Sequence, residues 1–325
     1  MANVKIIQTA SFVPQKVVTN DELSKIMDTS DEWISTRTGI KQRHISLDEN
    51  TSVLCTRVAK QLLTQSGWSA ESLDLIIVAT MSPDSYTPAT AALVQGNIQA
   101  QNAVAFDISA ACSGFIYALE VAKRFLSSPD IKRVMVIGGE VLSKVLDWQD
   151  RTTAVLFGDG AAGVLLAKDE TKQSQILATD LKTFGDQGKN LIAGTTQAIC
   201  QFPNTQDEKL EAFQMDGREV YKFATHEVPI SIERACQKAD ISLDEVTHFI
   251  LHQANARIIQ SIAKRLKQPL DKFGLNIADY GNTSAASVPL LLDELNKKGQ
   301  LKRGQIIVLS GFGGGLTVGT HVIKF

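Results

Sequence analysis

The sequence predicts an α/β protein made of two similar halves, residues 1–170 and 171–325. Two observations support this fold class. Short apolar runs alternate with segments of helical periodicity, which is typical of strands and helices that alternate along a buried sheet. The same order of elements then returns in the second half of the chain. With 325 residues, the chain is long enough to bury the core of such a duplicated unit.

In the first half, apolar runs predict three strands with helices between them. The strands are expected at residues 75–79, 104–108 and 134–137, and the helices at residues 89–98 and 115–126. Residues 158–163 match the GxGxxG pattern of dinucleotide-binding loops, but the Val/Leu run that follows predicts a strand where that motif requires a helix. We therefore assign no dinucleotide site here.

The second half repeats this scheme, with strands expected at residues 249–251 and 306–309 and helices at residues 257–266 and 285–295. Each half also ends on a similar turn and strand, since Phe-Gly-Asp-Gly at 157–160 is echoed by Phe-Gly-Gly-Gly at 312–315. Residues 185–214 are rich in Gln, Asn, Thr and Gly and predict an inserted loop region.

The spacing of two junctions indicates how the halves meet. Cys112 lies 22 residues before Val134, and Ser284 lies 22 residues before Ile306. Both positions fall where a strand is expected to lead into a helix. The duplication therefore predicts that the two strand-to-helix junctions come together at a pseudo-twofold centre.

Composition excludes several classes of protein. The chain is 44% hydrophobic and 21% charged, and its formal net charge of -2 gives no general affinity for nucleic acid or for an anionic membrane. The N-terminus lacks the pattern of a signal peptide, and no apolar run reaches membrane-spanning length, so we expect a cytoplasmic protein. The four cysteines show no CxxC pairing, which predicts free thiols rather than a disulfide framework or a metal site.

Cys112 is the candidate nucleophile. Small residues surround it at the junction between a predicted strand and a predicted helix. The free N–H groups and positive dipole at a helix N-terminus favour a thiolate. The alternative is a small buried hydrophobic residue. We assign that role to Cys55, Cys200 and Cys236.

Two polar segments of the second half are candidates for partners of this thiol. His252 follows a predicted strand, at a sheet edge where ligands commonly bind, although a hydrogen-bonded core histidine is the alternative. His248 lies about 13 Å away along the same strand, too far to share a metal ion. Asn282 suits a turn or helix cap, but its amide could also stabilise a developing negative oxygen. The glycines at residues 311–315 allow close approach of a backbone N–H to a ligand.

These segments closely resemble β-ketoacyl-acyl carrier protein synthase III, the condensing enzyme that initiates type II fatty acid synthesis. The motifs occur in the order of the family and span the chain: residues 31–40 (DEWISTRTGI), 110–115 (AACSGF), 157–160 (FGDG), 252–255 (HQAN), 281–287 (GNTSAAS) and 312–315 (FGGG). The resemblance implies the thiolase fold, a five-layer αβαβα arrangement of two duplicated halves, and a homodimer.

The resemblance also implies a reaction and its catalytic residues. Cys112 would take the acyl group from acyl-CoA, with the N–H groups of Cys112 and Gly314 as the oxyanion hole. His252 and Asn282 would stabilise the enolate formed when malonyl-acyl carrier protein loses carbon dioxide. CoA and acyl carrier protein thioesters are substrates, and no further cofactor or metal is expected.

Other residues are expected to bind the substrates. The family implies a CoA site, a docking surface for acyl carrier protein and an acyl pocket. The CoA site comprises Trp33, Arg37, Arg151, Gly217 and Asn255; the docking surface Lys222, Arg257, Lys264 and Arg265; and the acyl pocket Thr87 and Phe312. Thr87 stands where the family often has a bulky aromatic residue, and the loop that contains it is expected to reach the partner subunit's pocket.

Three alternatives remain at the level of sequence. A thiolase needs a second cysteine as base, and Phe312 occupies that position. A condensing enzyme that uses CoA-linked substrates throughout, in a secondary polyketide-like pathway, is the stronger alternative. A binding protein without turnover is disfavoured because Cys112, His252 and Asn282 are all present.

Overall fold

The computed structural model describes residues 3–169, 175–196, 198, 202 and 211–325. The strands are β1 (Val4–Phe12), β2 (Lys16–Thr19), β3 (Gln42–Ile45), β4 (Leu75–Ala79), β5 (Val104–Ile108), β6 (Arg133–Glu140), β7 (Gly160–Lys168), β8 (Gln175–Thr183), β9 (Leu191–Ile192), β10 (Gln214–Met215), β11 (Val246–Leu251), β12 (Ile306–Gly313) and β13 (Thr317–Lys324). The α-helices are α1 (Asn20–Leu23), α2 (Asp31–Thr38), α3 (Thr51–Ser66), α4 (Thr90–Asn97), α5 (Gly114–Phe125), α6 (Gly217–Ala239), α7 (Ala256–Arg265), α8 (Ile277–Tyr280) and α9 (Ser287–Lys297).

Two mixed sheets with the same plan form the centre of the fold. The first has the strand order β1-β7-β6-β4-β5, and the second has the order β11-β12-β13-β8. In the first sheet β4 runs parallel to β5 and β6, and β7 runs antiparallel to β6 and β1. The second sheet repeats this pattern, with β11 parallel to β12 and β13 antiparallel to β12 and β8. Four strands of the first sheet therefore correspond to the four strands of the second, and β5 has no counterpart among the described residues.

Helices cover both faces of each sheet. α3 and α4 pack on the outside of the first sheet, and α6 and α7 pack on the outside of the second. Residues of α5 and α9 share one core cluster with strands of both sheets, so these helices form the layer between them. Because both faces of the sheets are covered, strands such as β4 are buried at every position and read as continuous apolar runs. The predicted five-layer αβαβα arrangement is confirmed.

The two halves interlock through a pair of equivalent glycines. A Cβ atom at Gly138 would lie 2.2 Å from the carbonyl oxygen of Ala285, and one at Gly311 would lie 3.0 Å from that of Cys112. Each half thus inserts its turn against a strand of the other half. Only a glycine allows this close approach of backbone to backbone.

These contacts also correct the register that we expected between the halves. β6 begins at Arg133 and β12 begins at Ile306, and the 3₁₀ turns start at Ala111 and Ser284. Ser284 therefore corresponds to Ala111, one residue before Cys112. The apolar run starts one residue after the strand does because its first residue is the polar Arg133. Ala111 and Ser284 share a left-handed backbone, with φ of 44° and 48°.

Most predicted elements lie within a few residues of their expected bounds. β6 and β12 extend three and four residues beyond the expected strands, because their glycine and acidic ends continue the pairing with β7 and β13. The expected strand after the GxGxxG pattern is present as β7, whose first residue is Gly160. In the loop region, a 3₁₀ turn over Gly185–Asn190 precedes β9. Cys200 lies outside the described residues. Among the helices of the described part, none is long and apolar enough to cross a membrane.

Candidate active site

Cys112 lies in the 3₁₀ turn Ala111–Ser113, directly before α5. Its side chain sits at the boundary between two cavities of about 210 and 310 Å³. The first cavity also contains His252 and Asn282, and the second also contains Ser284 and Gly314. Phe157, Leu191 and Phe213 line both cavities. The thiol can therefore meet reactants from two directions.

The Cys112 thiol is a weak acid in this environment. It is only 6% exposed, and burial raises its pKa to about 12, although the Ser284 hydroxyl lowers that pKa. The sequence predicts that the helix start favours the thiolate. Desolvation outweighs that effect, so the free protein holds a neutral thiol that must lose its proton as it attacks.

His252 is held as a neutral hydrogen-bond donor. The imidazole is 1% exposed, and burial lowers its pKa to about 3. Ser287 Oγ accepts the backbone N–H of Gln253 and lies 2.6 Å from His252 Nδ1. We assign the hydroxyl proton of Ser287 to this contact. The ring proton then resides on Nε2, where it can be donated to an oxygen in the cavity.

Asn282 is oriented by its own backbone. Its Oδ1 accepts the backbone N–H of Ser284 at 2.9 Å, which fixes the amide so that Nδ2 is the donor left for the cavity. The Asn282 N–H donates to Leu156, and its carbonyl accepts the N–H of Gly158. His252 and Asn282 thus present two neutral donors to the cavity that holds Cys112. Such donors suit an enolate oxygen.

The glycine segment at the end of β12 lies against the nucleophile. A Cβ at Gly313 would lie 2.8 Å from Cys112 Cβ, and one at Gly314 would lie 3.2 Å from Ala111 Cβ. This proximity suits the predicted oxyanion hole of Cys112 and Gly314. Phe312 is 1% exposed, and its ring meets the His252 ring edge-on with centroids 5.0 Å apart. Phe312 therefore lines the cavity with His252.

The expected CoA residues lie in that cavity or in a cluster joined to its lining residue Asn255. Gly217 and Asn255 line it directly. Asn255 also caps α7 and donates from Nδ2 to the carbonyl of Arg37 at 3.0 Å. The guanidinium carbons of Arg37 and Arg151 lie 4.6 and 5.5 Å from the Trp33 ring centroid, and Arg151 pairs with Asp28 at 2.9 Å. Two of the five residues thus line the cavity, and the hydrogen bond from Asn255 to Arg37 connects them to the cluster around Trp33.

The predicted docking residues share an exposed face of α6 and α7. The apolar stripe expected on α7 is buried, as predicted: Ile258, Ile259, Ile262 and Leu266. Arg257 donates to the carbonyl of Thr36 at 2.6 Å, and Arg265 donates to that of Thr225. Lys222 pairs with Glu219. Lys264 is exposed, and within the described residues its side chain has no ion-pair or hydrogen-bond partner.

Thr87 does not line either cavity of its own subunit. It lies in an exposed loop whose neighbouring residue Tyr86 is 77% exposed. The base of this loop is firmly held, since Asp84 accepts two hydrogen bonds from Ser52 and Lys144 donates to the carbonyl of Pro83. The tip of the loop is thus exposed, while its base is fixed.

Sequence reasoning missed three polar residues at the site. Ser287 and Ser284 belong to the motif at 281–287, but they were given no role, because hydroxyl residues also suit a turn or cap. Glu140 was missed because it follows an apolar run and resembles a strand end. A signal was present, since an acidic residue directly after two glycines of a buried strand is unusual.

Comparisons with known proteins agree with this geometry. A family model described as 3-oxoacyl-[acyl-carrier-protein] synthase III matches residues 106–185, and the model of its C-terminal part matches residues 236–325. The β-ketoacyl-[acyl-carrier-protein] synthase III of Limosilactobacillus reuteri (strain DSM 20016) is 57% identical over 325 residues, which cover 100% of each chain.

The chain belongs to the β-ketoacyl-[acyl-carrier-protein] synthase III family. The enzyme of this name from Lactobacillus helveticus (strain DPC 4571) is 54% identical over 321 residues, covering 99% of this chain and 98% of the relative. The crystal structure of 3-oxoacyl-[acyl-carrier-protein] synthase III from Aquifex aeolicus VF5 is 44% identical and superposes with a TM-score of 0.92, covering 99% of this chain and 100% of that one. The duplicated αβαβα fold is thus the thiolase fold of synthase III, and the chain is a condensing enzyme of the acyltransferase type.

Proposed function

We propose that this synthase III condenses an acyl-CoA primer with malonyl-acyl carrier protein, with loss of carbon dioxide, to give 3-oxoacyl-acyl carrier protein and so initiate fatty acid synthesis. One observation carries the proposal. A buried thiol and two neutral hydrogen-bond donors, His252 and Asn282, line one cavity, and another lining residue, Asn255, donates to the carbonyl of Arg37.

The first half-reaction moves the acyl group to the protein. Cys112 Sγ attacks the thioester carbonyl of acyl-CoA, whose oxygen is stabilised by the N–H groups of Cys112 and Gly314. The carbon–sulfur bond to CoA then breaks, and CoA leaves as the thiol. A thioester replaces a thioester, so the step has little net cost.

The second half-reaction forms the carbon–carbon bond. Loss of carbon dioxide from the malonyl group leaves an enolate, whose oxygen accepts hydrogen bonds from His252 Nε2 and Asn282 Nδ2. The carbanion carbon attacks the acyl carbon on Cys112, and the Cys112 thiolate leaves. Since both donors are neutral, they stabilise the enolate without protonating it.

Binding of CoA requires a rearrangement at Trp33. We propose that the adenine stacks between the Trp33 ring and Arg151. Two van der Waals spacings of about 3.5 Å are needed for such a sandwich, or about 7 Å in all. The present separation is 5.5 Å from the guanidinium carbon to the ring centroid. Arg151 would therefore move outward and release Asp28 when CoA binds.

We also propose that the enzyme acts as a homodimer. β5 lies at the edge of the first sheet, with Val104 57% exposed, and Phe125 beside it is 40% exposed. Pairing of this edge with a second copy would cover both residues. The exposed loop tip at Thr87 would then close the partner's acyl pocket.

The test is an assay of the two half-reactions. Purified enzyme is given acyl-CoA with either malonyl-acyl carrier protein or malonyl-CoA, and products are identified by mass. We expect acylation of Cys112 alone and product only with the carrier-protein substrate. His252→Ala and Asn282→Ala should spare acylation and reduce condensation by at least about 100-fold, the order expected for an oxyanion donor. A label on Cys55 or Cys236, or equal loss of both half-reactions, would contradict the assignment.

A second candidate is condensation for a polyketide pathway. The priming β-ketosynthase from the R1128 polyketide biosynthetic pathway is 30% identical and superposes with a TM-score of 0.91. Its identity to this chain is well below the 57% of the L. reuteri enzyme. The same assay separates the two functions, because product formed equally well from malonyl-CoA would favour the secondary pathway.

A further inference from the structure

A chain of three buried polar groups begins at the nucleophile and leads away from His252. Ser284 lines the second cavity beside Cys112, and its turn packs against β6, whose last residue is Glu140. Weak contacts of its hydroxyl lower the pKa of both Cys112 and Glu140. Cys112, Ser284 and Glu140 are 6%, 1% and 0% exposed. Neither contact reaches the geometry of a complete hydrogen bond, and within the described residues Ser284 Oγ has no other partner. The hydroxyl is therefore poised between the two groups.

The position of Glu140 is unusual for a carboxylate. It ends β6 and corresponds to Gly313, which ends β12 beneath Cys112. A glycine is thus sufficient at this point of the duplicated fold, whereas burying a carboxylate costs solvation energy. We therefore expect Glu140 to have a role beyond packing.

The hydrogen bonds to Glu140 leave one of its oxygens underused. Oε2 accepts from Thr80 Oγ1 at 3.0 Å, from Ser82 N at 3.0 Å and from Ser82 Oγ at 2.5 Å. Among the described residues, Oε1 receives only the N–H of Met81, at 3.3 Å, and shares it with Oε2 at 3.2 Å. The carboxylate is firmly held through one oxygen and retains the capacity to accept a proton on the other.

We propose that Ser284 and Glu140 form a proton relay that activates Cys112 for acylation. As Sγ bonds to the carbonyl carbon of acyl-CoA, the thiol proton passes to Ser284 Oγ, and the hydroxyl proton of Ser284 passes to Glu140. When the carbon–sulfur bond to CoA breaks, the CoA sulfur takes its proton back along the same path. The net result is acyl-Cys112, free CoA and a regenerated carboxylate. The relay rests on the acylation step of the proposed function.

The alternative base is less suited to this task. Burial lowers the pKa of His252 to about 3, and its Nδ1 is occupied by Ser287. Burial raises the pKa of Glu140, which makes it a better proton acceptor. The other titratable groups that the Glu140 charge affects are Cys55, whose thiol is neutral, and Lys144, which donates to Pro83 and Asn50.

Two measurements on Glu140→Gln test the relay: the single-turnover rate of Cys112 acylation by acyl-CoA, and the pKa of the thiol from the pH dependence of iodoacetamide alkylation. Because the negative charge of Glu140 raises the pKa of Cys112, glutamine should lower that pKa. The relay nevertheless predicts that acylation slows by about 10-fold or more, the usual range for a proton-transfer group. Acylation that quickens in step with the lower thiol pKa would overturn the proposal.

Variants of Ser284 separate the hydroxyl from the backbone. Ser284 has a φ of 48°, where glycine is less strained than alanine. Ser284→Ala and Ser284→Gly should slow acylation by the same factor if the hydroxyl is what matters. Each combined with Glu140→Gln should be no slower than the single variants. Multiplicative losses would show two independent effects and contradict a shared relay.

A control variant tests whether Glu140 acts only by holding the loop that contains Ser82. Thr51 Oγ1 donates to the carbonyl of Ser82 at 2.5 Å without contacting Glu140. Thr51→Val loosens the same loop and should leave acylation near the wild-type rate. A loss equal to that of Glu140→Gln would indicate loop displacement instead of proton transfer. Failure of the proposed function is distinguishable, because the wild type itself would then not be acylated at Cys112.

Discussion

At the scale of single residues, the neutral state of His252 has a consequence for stability. Burial lowers its pKa from 6.5 to about 3, so between these values the unfolded chain binds a proton that the folded protein does not. The free energy of unfolding therefore falls as the pH falls through this window, by up to about 1.4 kcal/mol per pH unit for one such group.

We predict that His252→Gln removes this contribution. Urea unfolding at several pH values between 6.5 and 4 should show a shallower loss of stability in the variant than in the wild type. His321 is also buried, with its pKa lowered to about 4 mainly by burial, and its contribution stays in both proteins. Parallel curves for the two proteins would mean that His252 is protonated in the folded state.

Thr87 gives a second prediction at this scale. If the loop tip closes the partner's acyl pocket, threonine leaves more room than phenylalanine, and each further buried methylene of a primer gains about 0.8 kcal/mol. The wild type should then accept primers longer or more branched than acetyl, and Thr87→Phe should narrow the range. Catalytic efficiencies for straight and branched acyl-CoA primers of two to eight carbons provide the measurement. A profile that is unchanged in Thr87→Phe would exclude this residue from chain-length selection.

Single residues could be predicted from the sequence where their role depends on neighbouring positions in the chain. Cys112, His252 and Asn282 could be predicted as candidates because each lies in a motif of its own. The raised pKa of the Cys112 thiol could not be predicted, because the burial of Cys112 depends on residues that the other half of the chain places against it. Glu140 and Ser284 lie 144 positions apart in the chain, and only the folded structure brings them together.

At the scale of elements, α7 combines a buried stripe with an exposed basic face. Lys264 is the better probe of docking by acyl carrier protein, because Arg257 is tied to the helix that carries Trp33 and Arg37. We predict that Lys264→Glu raises KM for malonyl-acyl carrier protein about 2- to 5-fold, more at low salt, and leaves acyl-CoA kinetics unchanged.

The matched control for this prediction is Lys60→Glu. Lys60 is exposed on α3, in the outer layer at the opposite side of the molecule, and the substitution changes the net charge equally. Docking on α7 requires that this variant keep the wild-type KM. If both variants respond alike, net charge and not a docking surface controls the encounter.

The elements themselves were largely predictable because both sheets are covered on both faces. Strands such as β4 then read as apolar runs, and α5 and α7 read as periodic segments. The ends of the strands and helices were predicted less accurately. β6 continues through Gly138, Gly139 and Glu140, where ladder pairing with β7 replaces apolar burial as the stabilising interaction.

At the scale of the whole molecule, the exposed edge at β5 predicts an assembly. We expect the wild type to sediment as a dimer at micromolar concentration. Val104→Lys combined with Phe125→Glu places charges on the edge and should yield monomers. Leu270→Lys combined with Leu275→Glu, at exposed apolar residues elsewhere, should leave the dimer intact. Monomers in the wild type, or dissociation in both double variants, would contradict pairing through β5.

The paired glycines beneath the turns make the structure of each half depend on the other half. Gly138 accommodates the peptide of Ala285, and Gly311 accommodates that of Cys112. A side chain at Gly138 would displace the turn that carries Ser284. A substitution in the first half of the chain would thus disturb the surroundings of the nucleophile through the second half. A substitution at Gly138 or Gly311 in one half must therefore be accommodated by the turn of the other half.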